Sequence, residues 1–124
     1  MDTKKIGKAM AECFVKHQTQ EVGDYKFEFV STDGRGVQWV KIKVYKNGTL
    51  LFSPSNTVYA DDILHPEKLY KSCEEWFCYA VLKILAKNSE LEGTELYDYL
   101  SEKCVEDGIS IDVLDKHSEN ILSK

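Results

Sequence analysis

Arginine is almost missing from this chain: Arg35 is the only arginine among sixteen basic residues, and the other fifteen are lysine. Arginine presents a planar fork that grips a phosphate through two hydrogen bonds, whereas lysine offers a hydrated point charge. The shortage therefore weighs against a protein built to recognise phosphate groups. Because lysine codons are rich in A, the same bias indicates AT-rich coding DNA.

Long apolar runs are also missing. No stretch approaches the roughly 18 apolar residues that a membrane-spanning helix requires, and the first residues, MDTKKIGKAMAE, lack the apolar region of a secretory signal. The sequence contains no glycine-rich phosphate loop. We therefore expect a cytoplasmic protein that has no membrane partner.

The residues that carry metal and catalytic chemistry do not form a motif. The four cysteines fall on apolar helical positions, and Cys73 and Cys78 are not at a zinc-binding spacing. No Ser-His-Asp or Cys-His arrangement can be assembled from the spacing, and Asp61-Asp62 is an isolated acidic pair. The sequence predicts reduced buried thiols, no metal, no cofactor and no catalytic residue, so we expect a protein that is not an enzyme.

Length and charge bound the organisation of the chain. A chain of 124 residues predicts a single domain over residues 1–124. The net charge of −5 is uneven, because residues 89–120 hold ten acids and two lysines, whereas the rest of the chain has a net charge of +3. Such an acidic segment indicates either a solvated face or an electrostatically steered contact.

One helix is predicted to organise the fold, over residues 66–88. Apolar residues recur on one face at helical spacing: Cys73, Trp76, Phe77, Ala80, Val81, Ile84 and Leu85. Cys78, Tyr79 and Leu82 make most of the remaining surface apolar as well. A helix that is apolar almost all round is expected inside a core.

The apolar period changes from 3.6 to 2 at Tyr25, which predicts strands at about 25–30, 37–46 and 49–52. Asn47-Gly48 is typical of a two-residue type I′ hairpin turn. Residues 53–65 are open to two interpretations, a short helix begun by Ser53-Pro54 or a fourth strand near residues 57–59. Further helices are expected over residues 3–18, over 94–107 and after Ser110. The predicted fold class is α+β, with a three- or four-stranded antiparallel meander packed with three or four helices.

The hairpin turn sets an expected register on the sheet. It pairs Lys46 with Thr49, Tyr45 with Leu50, Val44 with Leu51 and Lys43 with Phe52. One face is then a core face, expected to lie against the central helix: Val40, Ile42, Val44 and Leu51. The other face carries a cluster of aromatic and apolar residues with two lysines among them: Trp39, Tyr45, Leu50, Phe52, Lys41 and Lys43.

We interpret this second face as a binding site, with Lys41, Lys43 and the turn residue Arg35 as its polar rim. Exposed aromatic clusters usually mark contacts, and Trp and Tyr are enriched among interface hot spots. The alternative is that the first helix buries its own apolar stripe against this face. The expected partner is a protein, with a homodimer as one form. Alternating aromatic and basic residues are also found in single-strand binders, but a pI of 5.2 and a single arginine make nucleic acid the weaker expectation.

Residues 47–96 resemble the RAMA module, the restriction-enzyme adenine-methylase-associated domain. The resemblance rests on an apolar strand that runs into Ser-Pro-Ser, a later tryptophan, and a Gly-x-x-Leu, which here are Phe52, Ser53-Pro54-Ser55, Trp76, Gly93 and Leu96. The family has glycine where this chain has Glu75, and a strand after the tryptophan. The resemblance implies recognition of nucleic acid or a nucleotide. The first hypothesis remains a small acidic binding protein, which could be a phage-type inhibitor of a host defence or nucleic-acid enzyme.

Overall fold

The computed structural model describes residues 1–33 and 38–124, so Arg35 and its neighbours in the predicted turn lie outside the described residues. Within that part the chain forms α1 (Thr3–Lys16), β1 (Gln20–Val22), β2 (Tyr25–Thr32), β3 (Gln38–Lys46), β4 (Thr49–Phe52), β5 (Ser55–Val58), α2 (Ala60–Leu64), α3 (Glu67–Asn88), α4 (Gly93–Asp107), α5 (Ile111–Lys116) and α6 (Ser118–Leu122). The predicted α+β class is confirmed, although the described sheet has five strands and the described chain has six helices.

The chain divides into two compact units. Residues 4–74 form the first, which we call the sheet unit, and residues 1–3 with 75–124 form the second, which we call the helical unit. The sheet unit holds nine acids and eleven bases, a net of +2, whereas the helical unit holds twelve acids and five bases, a net of −7.

Strand β3 is the centre of the sheet. It pairs with β2 in antiparallel fashion, and it pairs with β4 and then β5 along its length. Val44 lies opposite Phe52 and Lys41 lies opposite Ser55, so β4 and β5 keep one register along β3. Between them the backbone N–H of Ile42 donates to the carbonyl of Pro54 at 3.1 Å. Residues 49–58 therefore act as one strand, interrupted at a proline that has no N–H to donate.

This arrangement settles the two interpretations of residues 53–65. Residues Ser55–Val58 form a strand, and the short helix that follows begins at Ala60 and not at Ser53-Pro54. The predicted hairpin turn is confirmed, because Asn47 and Gly48 have φ of 49° and 82°, as a type I′ turn requires. Strand β1 was not predicted.

The core of the sheet unit lies between α1 and one face of the sheet. Phe27, Val40, Ile42 and Val44 are fully buried on that face, as are Met10, Cys13 and Phe14 of α1. The ring of His17, just after α1, stacks on Phe29 with the centroids 4.6 Å apart, and Phe29 pairs with Ile42. The apolar stripe of α1 is therefore buried together with the Ile42 face, and not over Trp39.

Helix α1 also crosses the start of α3 at very short range. A Cβ placed on Gly7 would lie 2.7 Å from Cβ of Glu74 and 2.8 Å from the carbonyl oxygen of Tyr70. Only glycine leaves room for these two backbones to approach so closely.

The helical unit is built from the rest of α3 and the three C-terminal helices. Its buried apolar side chains are Phe77, Cys78, Leu82, Ala86, Leu96, Leu100, Cys104, Ile109, Leu114 and Ile121. The predicted inner face of α3 is partly wrong, because Trp76, Ile84 and Leu85 are only half-buried. A helix that is apolar almost all round gives no periodic signal for which side lies deepest.

The ends of the last helices follow the predicted caps. Gly108, with φ of 70°, ends α4, and the Ser110 hydroxyl accepts a hydrogen bond from the backbone N–H of Asp112 at 3.3 Å. The single last helix expected from the sequence is two short helices, which meet at His117.

Candidate functional site

The candidate site is the sheet face opposite the core, in the sheet unit. Alternation along β3 places Trp39, Lys41, Lys43 and Tyr45 on one side, while Val40, Ile42 and Val44 point into the core. Trp39 is 43% exposed, and Leu50, which pairs with Tyr45, is 48% exposed. A tryptophan and a leucine are thus left in solvent, whereas Val40, Ile42 and Val44 on the other side of β3 are fully buried.

The predicted position of Phe52 on this face is wrong. The register shifts by one residue between Val44 and Tyr45, so Phe52 lies opposite Val44, where the sequence analysis had placed Leu51. The predicted pairs of Tyr45 with Leu50 and of Lys46 with Thr49 are confirmed. A bulge inserts one residue and thereby moves every later side chain to the opposite face. Phe52 consequently belongs to the side of Val44.

Tyr59 is a member of this face that the sequence analysis missed. It follows β5 in an extended conformation, with φ of −95° and ψ of 161°, two residues after Thr57, which pairs with Trp39. Alternation therefore places Tyr59 on the Trp39 side, where it is 55% exposed. Its neighbour Val58 is buried, and this in-and-out pattern was the available sequence signal. We call Trp39, Lys41, Lys43, Tyr45, Leu50 and Tyr59 the outer patch.

The backbone at Trp39 is held at both of its polar groups. Its N–H donates to Oδ1 of Asp33 at 3.2 Å, and its carbonyl accepts the N–H of Asp33 at 3.3 Å. These two bonds fix the start of β3 and, with it, the position from which the indole projects. Arg35, predicted as a rim residue, lies outside the described residues, so its role stays a prediction.

The outer patch carries a net positive charge from Lys41 and Lys43. Lys26 and Glu28 of β2 form an ion pair at 3.5 Å, although Glu28 lies directly opposite Lys43 in the register. Within the described part of the chain, neither Lys41 nor Lys43 has a carboxylate at ion-pair distance. Both lysines are half-buried.

The His, Cys, Asp and Glu side chains of the described residues are the candidates for metal binding and nucleophilic chemistry. The described residues contain no group of three or more His, Cys, Asp or Glu side chains that could hold a metal ion. All four cysteines are buried, and burial raises the pKa of Cys13 and of Cys73 to about 12. Such thiols stay protonated and are poor nucleophiles. Among the described helices, none is long and apolar enough to cross a membrane.

A second concave region in the sheet unit is a groove of about 370 Å³ between α1 and the start of α3. Its lining residues are Lys4, Lys8, Glu67, Tyr70, Lys71 and Glu74. Lysines and glutamates are mixed along it, and the ammonium of Lys8 lies 5.9 Å from the centre of the Tyr70 ring. The groove therefore offers no concentration of one charge that would select a ligand.

Comparison with models of protein families, with curated proteins and with solved structures found no match for this chain. The stretch that resembles the RAMA module begins a strand at Ser55 and stays helical from Trp76 to Asn88, where that family has a strand. The RAMA-like interpretation stays a prediction, and function has to be argued from the outer patch itself.

Proposed function

We propose that this chain is a small cytoplasmic binding protein, and not an enzyme, which acts through non-covalent contact of the outer patch with a protein partner. The observation that carries the proposal is the exposure of Trp39, Leu50 and Tyr59 together on one sheet face. Exposed apolar surface of this kind usually marks a contact, and Trp and Tyr are the residues most enriched among hot spots.

The placement of the patch supports a binding role. Trp39, Lys41, Lys43 and Tyr45 lie on β3, which has a paired neighbour on both sides. A contact residue on a rigid central strand loses little conformational freedom when the partner binds. The buried core face directly behind it keeps the strand in place, so the patch is organised before the partner arrives.

The narrower form of the proposal is a phage-type inhibitor of a host defence or nucleic-acid enzyme. It rests on the short chain, on lysine usage that indicates AT-rich coding DNA, and on the strong negative charge of the helical unit. An acidic surface of net charge −7 repels nucleic acid and can occupy the basic channel of an enzyme that binds it. The four buried, reduced cysteines suit a cytoplasmic setting.

The first prediction concerns Trp39→Ala. Because Trp39 is 43% exposed, its truncation should change the free energy of unfolding by no more than about 1 kcal/mol. As a hot spot it should weaken partner binding by about 2 kcal/mol or more, roughly thirtyfold. Affinity capture from host lysate, followed by mass spectrometry, identifies proteins held by the wild type, and titration of the purified partner measures the loss.

The matched control is Val105→Ala on α4, since Val105 is 85% exposed but belongs to the helical unit. It should leave both stability and binding as in the wild type. A stability loss of about 3–5 kcal/mol for Trp39→Ala would show that the indole is a core residue. Full capture of the partner by this variant would show that the contact lies elsewhere.

The alternative function is a RAMA-like reader of nucleic acid or a nucleotide, which the alternation of Trp39, Lys41, Lys43 and Tyr45 favours. Gel-shift titration at low and physiological salt separates the two functions. A shift that persists at physiological salt supports the reader, whereas binding that disappears with salt is only the general attraction of lysines for phosphate.

A further inference from the structure

Resting on the proposed function, we infer that the partner segment seated on the outer patch is acidic, with two carboxylates placed between two apolar groups. The inference concerns the chemistry of the partner, and it depends on how charge and apolar surface alternate along β3.

The order of side chains on the patch sets the pattern. Trp39, Lys41, Lys43 and Tyr45 are successive residues on one side of β3, and alternate residues of a strand are about 7 Å apart. The patch therefore shows an aromatic ring, two ammonium groups and a second aromatic ring over about 20 Å. Leu50 beside Tyr45, and Tyr59 beyond Thr57 on the Trp39 side, widen the two apolar ends.

Burial makes the two lysines decisive for partner choice. Lys41 and Lys43 are already half-buried and, among the described residues, have no ion-pair partner. A partner that covers Trp39 must also remove water from these ammonium groups, which is costly unless a carboxylate replaces the water. A neutral or basic segment would leave the Lys41 ammonium without a counter-charge, and Lys43 with only Glu28, which already pairs with Lys26. Carboxylates about 7 Å apart, which an extended chain places at alternate residues, match the lysine spacing.

Two other occupants fit the patch less well. A symmetric dimer through this face would bring Lys41 and Lys43 of one copy against the same residues of the other, and like charges in direct contact are unfavourable. Nucleic acid would supply negative charge and would stack its bases on the aromatic rings, but it gains little from the aliphatic Leu50.

The test is a selection from a random peptide library displayed on phage, with the full-length protein as bait. Peptides that also bind Trp39→Ala are removed by counter-selection. We expect the enriched peptides to carry Asp or Glu at alternate positions flanked by apolar residues. A synthetic copy of the most enriched peptide should bind at least tenfold more weakly to the double variant Lys41→Glu/Lys43→Glu, and its affinity should fall as NaCl rises from about 50 to 500 mM.

The matched control is Lys4→Glu/Lys8→Glu, which changes the net charge by the same amount at two exposed lysines of α1 in the same unit. It should keep the peptide affinity within about twofold. Circular dichroism melting shows that both double variants remain folded.

The outcomes separate the inference from the proposal beneath it. Enriched peptides that are neutral or basic, or whose affinity does not respond to Lys41→Glu/Lys43→Glu, overturn the acidic partner and leave the patch as a contact surface. A selection that yields no peptide dependent on Trp39 overturns the binding patch itself. A dimer in sedimentation velocity that Trp39→Ala dissolves, or a salt-tolerant complex with a labelled single strand, shows a different occupant and overturns the inference.

Discussion

At the scale of single residues, Glu75 is the most connected carboxylate of the helical unit. Nζ of Lys116 donates to its Oε1 at 2.9 Å, and Nε2 of His117 lies 3.8 Å from the same oxygen. The hydrogen bond from Lys116 is the main reason why the pKa of Glu75 is lowered from its ordinary value of 4.5. The interaction ties the junction of α5 and α6 to α3.

The prediction for Glu75→Gln is a stability loss that depends on pH. A carboxyl whose pKa is lower in the folded state stabilises the fold above its unfolded pKa, and this contribution disappears as pH falls through the folded pKa. We expect Glu75→Gln to be less stable than the wild type at pH 7, by under about 1 kcal/mol because the pair is exposed. Urea unfolding at pH 7, 5 and 3.5 should show the difference shrink as the pH falls below the ordinary pKa of 4.5. The matched control is Glu119→Gln, which removes an exposed carboxylate of α6 and should show no such pH trend. A stability loss for Glu75→Gln at pH 3.5 that is as large as its loss at pH 7 would contradict the assignment.

Residues also show where prediction from sequence succeeds. The turn at Asn47-Gly48 and the caps at Gly108 and Ser110 were predictable because the requirement is local: positive φ, or a hydroxyl beside a helix start. The bulge that moves Phe52 was not, because Leu50-Leu51-Phe52 is apolar throughout and alternation cannot mark a slip. Five of the site residues predicted on the patch lie there together, and Tyr59 was missed because the path of residues 53–65 was open.

At the scale of elements, the crossing of α1 and α3 predicts whether replacing Gly7 by alanine stabilises or destabilises the protein. Replacing a glycine inside a helix by alanine normally stabilises it by up to about 1 kcal/mol. Gly7→Ala should instead destabilise the protein by about 1–3 kcal/mol, because the new Cβ would lie under 3 Å from atoms of Tyr70 and Glu74. Thermal unfolding decides the matter: a raised melting temperature would show that the helices separate without cost.

The edges of the sheet explain why a partner is expected on its face. Along β4 and β5 the hydrogen-bonding row is broken by the shift at Leu51 and by Pro54. On the other side β1 has only three residues, and β2 has a bulge at Val30. A strand added by a partner needs a long, regular row of N–H and C=O groups. The described edges do not provide one, whereas the outer patch lies on the central strand and exposes aromatic and apolar side chains.

Elements whose boundaries depend on tertiary packing were the hardest to predict. Strand β1, Gln20-Glu21-Val22, is too short and too polar for a pattern and forms only by pairing with β2. The deepest side of α3 depends on where the other elements lie, since nearly every side of that helix is apolar. Local sequence sets the type of these elements, and packing sets their limits and orientation.

At the scale of the whole molecule, the prediction of one domain over 1–124 leads to a test of cooperativity. The sheet unit and the helical unit each contain one tryptophan, Trp39 and Trp76. Helix α3 contributes its first residues to the sheet unit and the remainder to the helical unit, so unfolding of either removes packing from the same helix. We therefore expect both units to unfold in a single transition.

Two single-tryptophan variants provide the measurement. Trp76→Phe leaves Trp39 to report on the sheet unit, and Trp39→Phe leaves Trp76 to report on the helical unit. Each variant is unfolded in urea and followed by tryptophan fluorescence and by far-ultraviolet circular dichroism. In each, the two signals should give the same midpoint and slope. Separate midpoints would show two domains that unfold independently.

The four cysteines, like the two tryptophans, are divided equally between the two units. Cys13 and Cys73 belong to the sheet unit and Cys78 and Cys104 to the helical unit, and each is at most 2% exposed. A thiol reagent in the buffer has to wait until the chain opens around its target, because burial keeps the Cys13 and Cys73 thiols protonated by raising their pKa. The rate at which each pair of thiols is modified in the native protein therefore reports how often its own unit opens, without any added label.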